Sequence, residues 1–323
     1  FTTPRGFRPF DHGADIVLHS VTKLLAGHSD VTLGYMVAKD PERMARINTT
    51  AVTMGLTASP FDCWLAERGL YSFELRYDRA EENAERLGEI ETKDSGKLLA
   101  ETASQTAYVG DYYRYYAGLA DKIEGAVLPI DKPNLHVFTR REPIGVVVAI
   151  VPWNAQMFLT ATKLGPALAA GCSVVLKASE IAPAPMLEFA RLVEEAGFPP
   201  GVVSVITGDA ENCAIPLTRH PDVDRIAFTG GPETARHVVR NSAENFAVTT
   251  LELGGKSPIL VFDDANLDGA ANGLIAGNFG ASGQSCVAGS RGLIHRPILD
   301  ALAARIEEKL KNGIVGDPLD AAT

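Results

Sequence analysis

Three side chains stand where their types could carry out acyl-transfer chemistry. Cys286 lies in Gly280-Ala281-Ser282-Gly283-Gln284-Ser285-Cys286-Val287-Ala288-Gly289-Ser290-Arg291, where small neighbours let backbone amides and a substrate approach the sulfur closely. Glu252 in Leu251-Glu252-Leu253-Gly254-Gly255-Lys256 and Asn154 in Pro152-Trp153-Asn154 each follow an apolar run, at what reads as a strand end. A thiol nucleophile, a carboxylate base and an amide able to hold an oxyanion are the parts that acyl-enzyme chemistry needs. Singly, a cysteine is more often a small buried hydrophobe and a glutamate a surface charge. Three such groups beside glycine-rich turns argue for a site.

The elements between them alternate. Residues 145–151, 173–176, 202–206 and 225–228 read as strands, while 159–170 and 185–196 read as helices stopped by Gly171 and Gly197. That order predicts an α/β fold with a doubly wound, mostly parallel sheet, in which ligands bind beyond the carboxyl ends of the strands. Trp153, Asn154, Lys177, Glu180, Phe228, Thr229, Gly230 and Gly231 fall at such ends. No G-x-G-x-x-G follows the first strand, so the common dinucleotide fingerprint is absent. Ahead of this region, residues 91–119 carry helical periodicity with a tyrosine cluster, expected to pack on a sheet, and residues 127–141 alternate like a strand.

From about residue 89 to residue 323 these motifs resemble the aldehyde dehydrogenase family. The resemblance implies a Rossmann-like NAD-binding domain over 89–251 and a partial catalytic α/β domain over 252–323. It implies Cys286 as nucleophile, Asn154 as oxyanion donor and Glu252 as the base that activates water. Lys177 and Glu180 would contact the adenosine ribose, with Trp153, Phe228, Thr229, Gly230 and Gly231 completing the cofactor site. A carboxylate at the ribose accepts hydrogen bonds from its hydroxyls and repels a 2′-phosphate, so NAD is expected over NADP. The implied substrate is a small-molecule aldehyde, and the implied assembly is a homo-oligomer built through the 127–141 hairpin.

Residues 1–88 read differently. Lys23, after the strand-like Asp15–Ser20 run and before Gly27, is either an ordinary solvated lysine or an amine placed to form a Schiff base. Phe1-Thr2-Thr3-Pro4, Ser20 to Asp30 and Ser59-Pro60-Phe61-Asp62 resemble the Cys/Met-metabolism family of pyridoxal-phosphate (PLP) enzymes. The resemblance implies an α/β fragment of a PLP-dependent transferase-type fold, with PLP on Lys23 and its phosphate near Ser20 and Thr22. That family's partner for the pyridinium nitrogen would lie before Phe1. The alternative activity is therefore a lyase or transferase acting on sulfur amino acids through Lys23. A third reading is a truncated chimera with neither activity. No linker-like segment separates the two halves, and a start at Phe1 rather than Met reads as a piece of a longer chain.

Bulk properties narrow the partners. A formal net charge of -10 opposes binding to nucleic acid or an anionic membrane. The longest apolar run, 144–152, is under half of what a membrane-spanning helix needs, and no signal-peptide pattern opens the sequence. Cys63, Cys172, Cys213 and Cys286 lack disulfide or zinc spacing, which makes a reducing cytoplasm the expected location.

Overall fold

The computed structural model describes Thr3, residues 5–28, residues 30–320 and Thr323; at Lys23 the side chain lies outside the described residues. The chain divides into two compact units, residues 1–83 and 84–323.

In the first unit β1 (Ile16–Ser20) pairs antiparallel with β2 (Gly34–Ala38), and a π-helical turn, Val21–Leu25, follows β1 directly. Helices α1 (Pro41–Thr53) and α2 (Pro60–Leu70) start on Asp40 and Ser59, whose side chains accept backbone N–H groups of the first turn. Val21, Leu25, Ala26, Val31, Leu65, Ala66 and Phe73 form its core. Arg76, on α3 (Phe73–Ser95), donates to the carbonyls of Leu24 and Gly69 at 2.6 and 2.8 Å, tying that helix to the π-helical turn.

The second unit is built on five parallel strands. α4 (Leu99–Ala117) and the short pair β3 (Val127–Leu128) and β4 (Val137–Phe138) precede them. Then come β5 (Val146–Ile150), α5 (Gln156–Ala169), β6 (Ser173–Ala178), α6 (Ala184–Glu195), β7 (Val203–Thr207), α7 (Ile215–Arg219), β8 (Arg225–Gly230), α8 (Pro232–Ser242) and β9 (Val248–Leu253). The strand order is β7-β6-β5-β8-β9, so the chain winds outward from β5, crosses back and winds the other way. The crevice opens at that reversal, beyond the ends of β5 and β8. The apolar runs alternate across the sheet: Val147, Ala149 and Leu176 face one core, Val148, Ile226 and Phe228 the other. β10 (Pro258–Val261) and β11 (Arg291–Ile294) pair in parallel under α9 (Leu267–Phe279) and α10 (Leu299–Leu310), around Val261, Ala271, Leu274 and Leu302.

The doubly wound α/β expectation stands, with local corrections. The helical stretch expected over 91–119 is broken: α3 ends at Ser95, Gly96 takes a left-handed φ of 74°, and α4 starts at Leu99. Glycine at this place reverses a helix end, and the buried Lys97 that follows holds the turn by donating to Glu91 at 2.5 Å and Gln105 at 3.1 Å. The strand expected over 127–141 shrinks to two paired residues on each side, because Pro129 and Pro133 offer no N–H to a ladder. The tyrosine cluster packs on helices as well as on the core that covers the sheet. Tyr113 stacks on Phe189 of α6, and a Cβ on Gly165 of α5 would touch Tyr112 and Tyr116 at 3.6 and 3.3 Å. Burial pushes the Tyr113 phenol up and raises that of Tyr112 to about 12. Among the described residues no helix is long and apolar enough to cross a membrane.

Candidate active site

A cavity of about 860 Å³ opens at the strand reversal, within the range of small-molecule and cofactor sites. Trp153 and Asn154 enter it from the loop after β5, and Lys177 and Glu180 from the end of β6. Phe228, Thr229 and Gly230 reach it from the end of β8, and Gly231 is the N-cap of α8. Gln284 and Cys286 close it from the loop after α9, with Cys286 exposed. Asn154 is tied directly to the loop that carries Cys286: its Nδ2 donates to the backbone carbonyl of Gln284 at 2.6 Å.

Glu252 stands apart. It lies on β9 in register with Thr229 of β8, and its side chain is exposed rather than lining the cavity, whose wall there is Gly254, Gly255 and Lys256. Its charge is felt by Lys163 of α5, whose Nζ donates to Thr229 Oγ1 at 2.5 Å. Burial pulls the Lys163 ammonium below the usual lysine range, and Glu252 partly restores it. Lys163 is the sole charged residue of α5.

At the opposite end Lys177 Nζ donates to Glu180 Oε2 at 2.6 Å, and this bond holds the Glu180 carboxyl below its ordinary range. The Lys177 side chain is buried while that of Glu180 is about half exposed, so the carboxylate keeps an oxygen for a ligand. Between the two ends α8 begins without a side-chain cap, and a Cβ on Gly231 would meet nothing within 4 Å. Uncapped N–H groups at a helix start, facing open space, suit the pyrophosphate of a dinucleotide.

The loop carrying Cys286 is strained. Ala281 and Ser282 both take φ of 55°, and left-handed backbone costs a residue with a Cβ on the order of 1 kcal/mol or more. Outside contacts hold it: Ala281 N–H lies 3.2 and 3.0 Å from the two Glu101 oxygens, Ser282 Oγ donates to Gly96 O at 2.9 Å, and Gln284 Nε2 donates to Ser95 O at 3.0 Å.

The residues proposed to hold PLP fare differently. Ser20 lines a separate cavity of about 230 Å³, smaller than cofactor pockets usually are. The Thr22 hydroxyl donates to Leu33 O at 3.1 Å and accepts from Leu33 N at 2.9 Å, so its single proton is already committed. The committed Thr22 hydroxyl and the small cavity at Ser20 do not fit the group.

Comparison with known proteins adds the family. Residues 66–323 match the aldehyde dehydrogenase family, and residues 1–102 match the Cys/Met metabolism PLP-dependent enzyme family. The chain is 58% identical over 269 residues to (Z)-2-((N-methylformamido)methylene)-5-hydroxybutyrolactone dehydrogenase of Acinetobacter baylyi, covering 83% of this chain and 54% of that protein. It is 42% identical over 262 residues to an aldehyde dehydrogenase of Enchytraeus buchholzi, covering 79% of this chain and 51% of the relative. The crystal structure of PnpE in complex with nicotinamide adenine dinucleotide superposes with a TM-score of 0.73 at 42% identity, over 76% of this chain and 50% of that one. The chain thus spans about half the length of the curated relatives it matches. With a family match over most of its length, a parallel sheet wound around one crevice, and a cysteine loop closing that crevice, the chain belongs to the aldehyde dehydrogenase family.

Proposed function

We propose that this chain carries the cofactor site and the reacting thiol of an NAD-dependent oxidation of an aldehyde to a carboxylic acid. The observation that carries the reading is the Asn154–Gln284 bond, which joins an amide donor to the cysteine loop inside a cavity that also holds an uncapped helix start. The Cys286 thiolate adds to the aldehyde carbonyl, and the carbonyl oxygen becomes an oxyanion. Asn154 has two amide protons, one bound to Gln284 O and the other available to that oxyanion. When bound, NAD supplies the hydride acceptor. Loss of hydride leaves a thioester on Cys286, and Glu252 removes a proton from the water that hydrolyses it. Glu252 is exposed on β9 and does not line the cavity, so this step requires its side chain to turn toward Cys286.

The test is covalent trapping. The chain incubated with NAD and a simple aldehyde, then quenched in acid, should yield an acyl adduct on Cys286 that requires both reactants. An adduct confined to the exposed Cys63, or one formed without NAD, would sink the assignment.

Cofactor choice follows from Glu180. At an effective dielectric near 20, a unit repulsion at ~4 Å is on the order of 4 kcal/mol; solvent and the bonded Lys177 reduce this to about 1 to 2. NAD should therefore be preferred over NADP by roughly tenfold in kcat/KM, and Glu180→Ser should erase the preference. A wild type that favours NADP, or a Ser variant with an unmoved ratio, rules out this role for Glu180.

A further inference from the structure

The cysteine loop is gripped from the α3–α4 turn as well as from Asn154. Glu101, in the first turn of α4, accepts the Ala281 N–H with both carboxylate oxygens, at 3.2 and 3.0 Å. Hydrogen bonds to a charged acceptor are the stronger kind, and this one falls on the first of the left-handed residues. The turn that bears Glu101 is itself fixed. Lys97, 2% exposed, donates to Glu91 at 2.5 Å, and the other Glu91 oxygen accepts the N–H of Met157 at 3.4 Å. Met157 lies in the first turn of α5, just past Asn154. One buried turn therefore anchors both the cysteine loop and the helix that follows the amide.

We propose that Glu101 is a positioning residue: its carboxylate holds Ala281 and Ser282 in left-handed backbone and so fixes the loop that presents the Cys286 thiol to the cavity. Released, these two residues relax toward ordinary backbone, and the chain up to Gln284 shifts with them. The proposal rests on the reading of Cys286 as the nucleophile, while the Glu101 contact itself falls on the backbone of Ala281.

Two measurements on the 323-residue chain, without cofactor or aldehyde, test it. One is amide hydrogen exchange over residues 280–286. The other is iodoacetamide alkylation of Cys286 relative to Cys63, an exposed thiol on α2 that serves as internal reference. In Glu101→Ala, exchange at Ala281 should quicken about tenfold and the Cys286 to Cys63 ratio should fall about threefold or more, since donors no longer meet the reagent in a fixed arrangement. Glu101→Gln, whose amide oxygen still accepts the Ala281 N–H, should stay within about twofold of wild type. If the alanine variant does not fold, Glu101→Asp withdraws the charge by one methylene and should lower the same ratio. An unchanged ratio in a folded Ala or Asp variant, whether or not exchange quickens, overturns the proposal. Failure of the aldehyde reading would show instead in the acyl-adduct experiment and would leave both of these measurements as they are.

Discussion

Cys286→Ala should abolish NADH formation from any aldehyde, a loss of roughly 10⁴-fold or more, while NAD affinity stays within about threefold of wild type. The reason is that hydride can leave only from a tetrahedral carbon, and the thiol is what makes the aldehyde carbon tetrahedral. The cofactor contacts assigned to Glu180, Lys177 and the start of α8 do not involve the sulfur, so binding should survive its removal. Absorbance at 340 nm reads the first quantity and calorimetry the second. NADH production that persists in the alanine variant would remove the nucleophile from the mechanism.

Glu252→Gln should separate the two halves of the reaction. Hydride transfer needs no base once the thiolate has added, whereas attack of water on the thioester does. The variant should release a burst near one NADH per chain and then turn over about 10² to 10⁴ times more slowly than wild type. Rapid mixing with excess aldehyde measures both phases, and an acyl-Cys286 species should accumulate behind the burst. A variant with no burst would place Glu252 before hydride transfer. One with an unaltered steady rate would make Glu252 a surface carboxylate without a part in hydrolysis.

The parallel sheet was legible because its central strands carry short runs of Val, Ile, Leu and Ala, and glycines stop the helices ahead of β6 and β7. Gly171 and Gly197 do take the left-handed φ that a helix stop requires, at 82° and 81°. Periodicity failed where one glycine interrupts a charged helix without interrupting its pattern, as at Gly96. It failed again where prolines cancel a ladder, as at Pro129 and Pro133. Asn154, Lys177 and Glu180 were legible as motifs at strand ends, because that is where the winding of an α/β sheet puts ligands, and Cys286 by its glycine-rich loop. Thr22 shows the limit of motif matching: the residue type matches, but Leu33 already takes its hydroxyl. Glu101 had no local sign at all. Its bond to Ala281 spans 180 positions, and a contact of that range is decided by how helices pack, not by any pattern in the neighbouring sequence.

The strand order β7-β6-β5-β8-β9 also bears on how the chain reaches this state. β5, β6 and β7 follow one another through single helices, so their pairing closes short loops. β8 must find β5 across the whole β6-to-α7 segment, as in the pairing of Val148 with Ile226, and a longer closure comes later and more slowly. The crevice lies along that last seam. A dinucleotide seated there, as proposed, would touch both halves of the sheet and bind only after they have met, so by mass action it would draw the population toward the closed sheet.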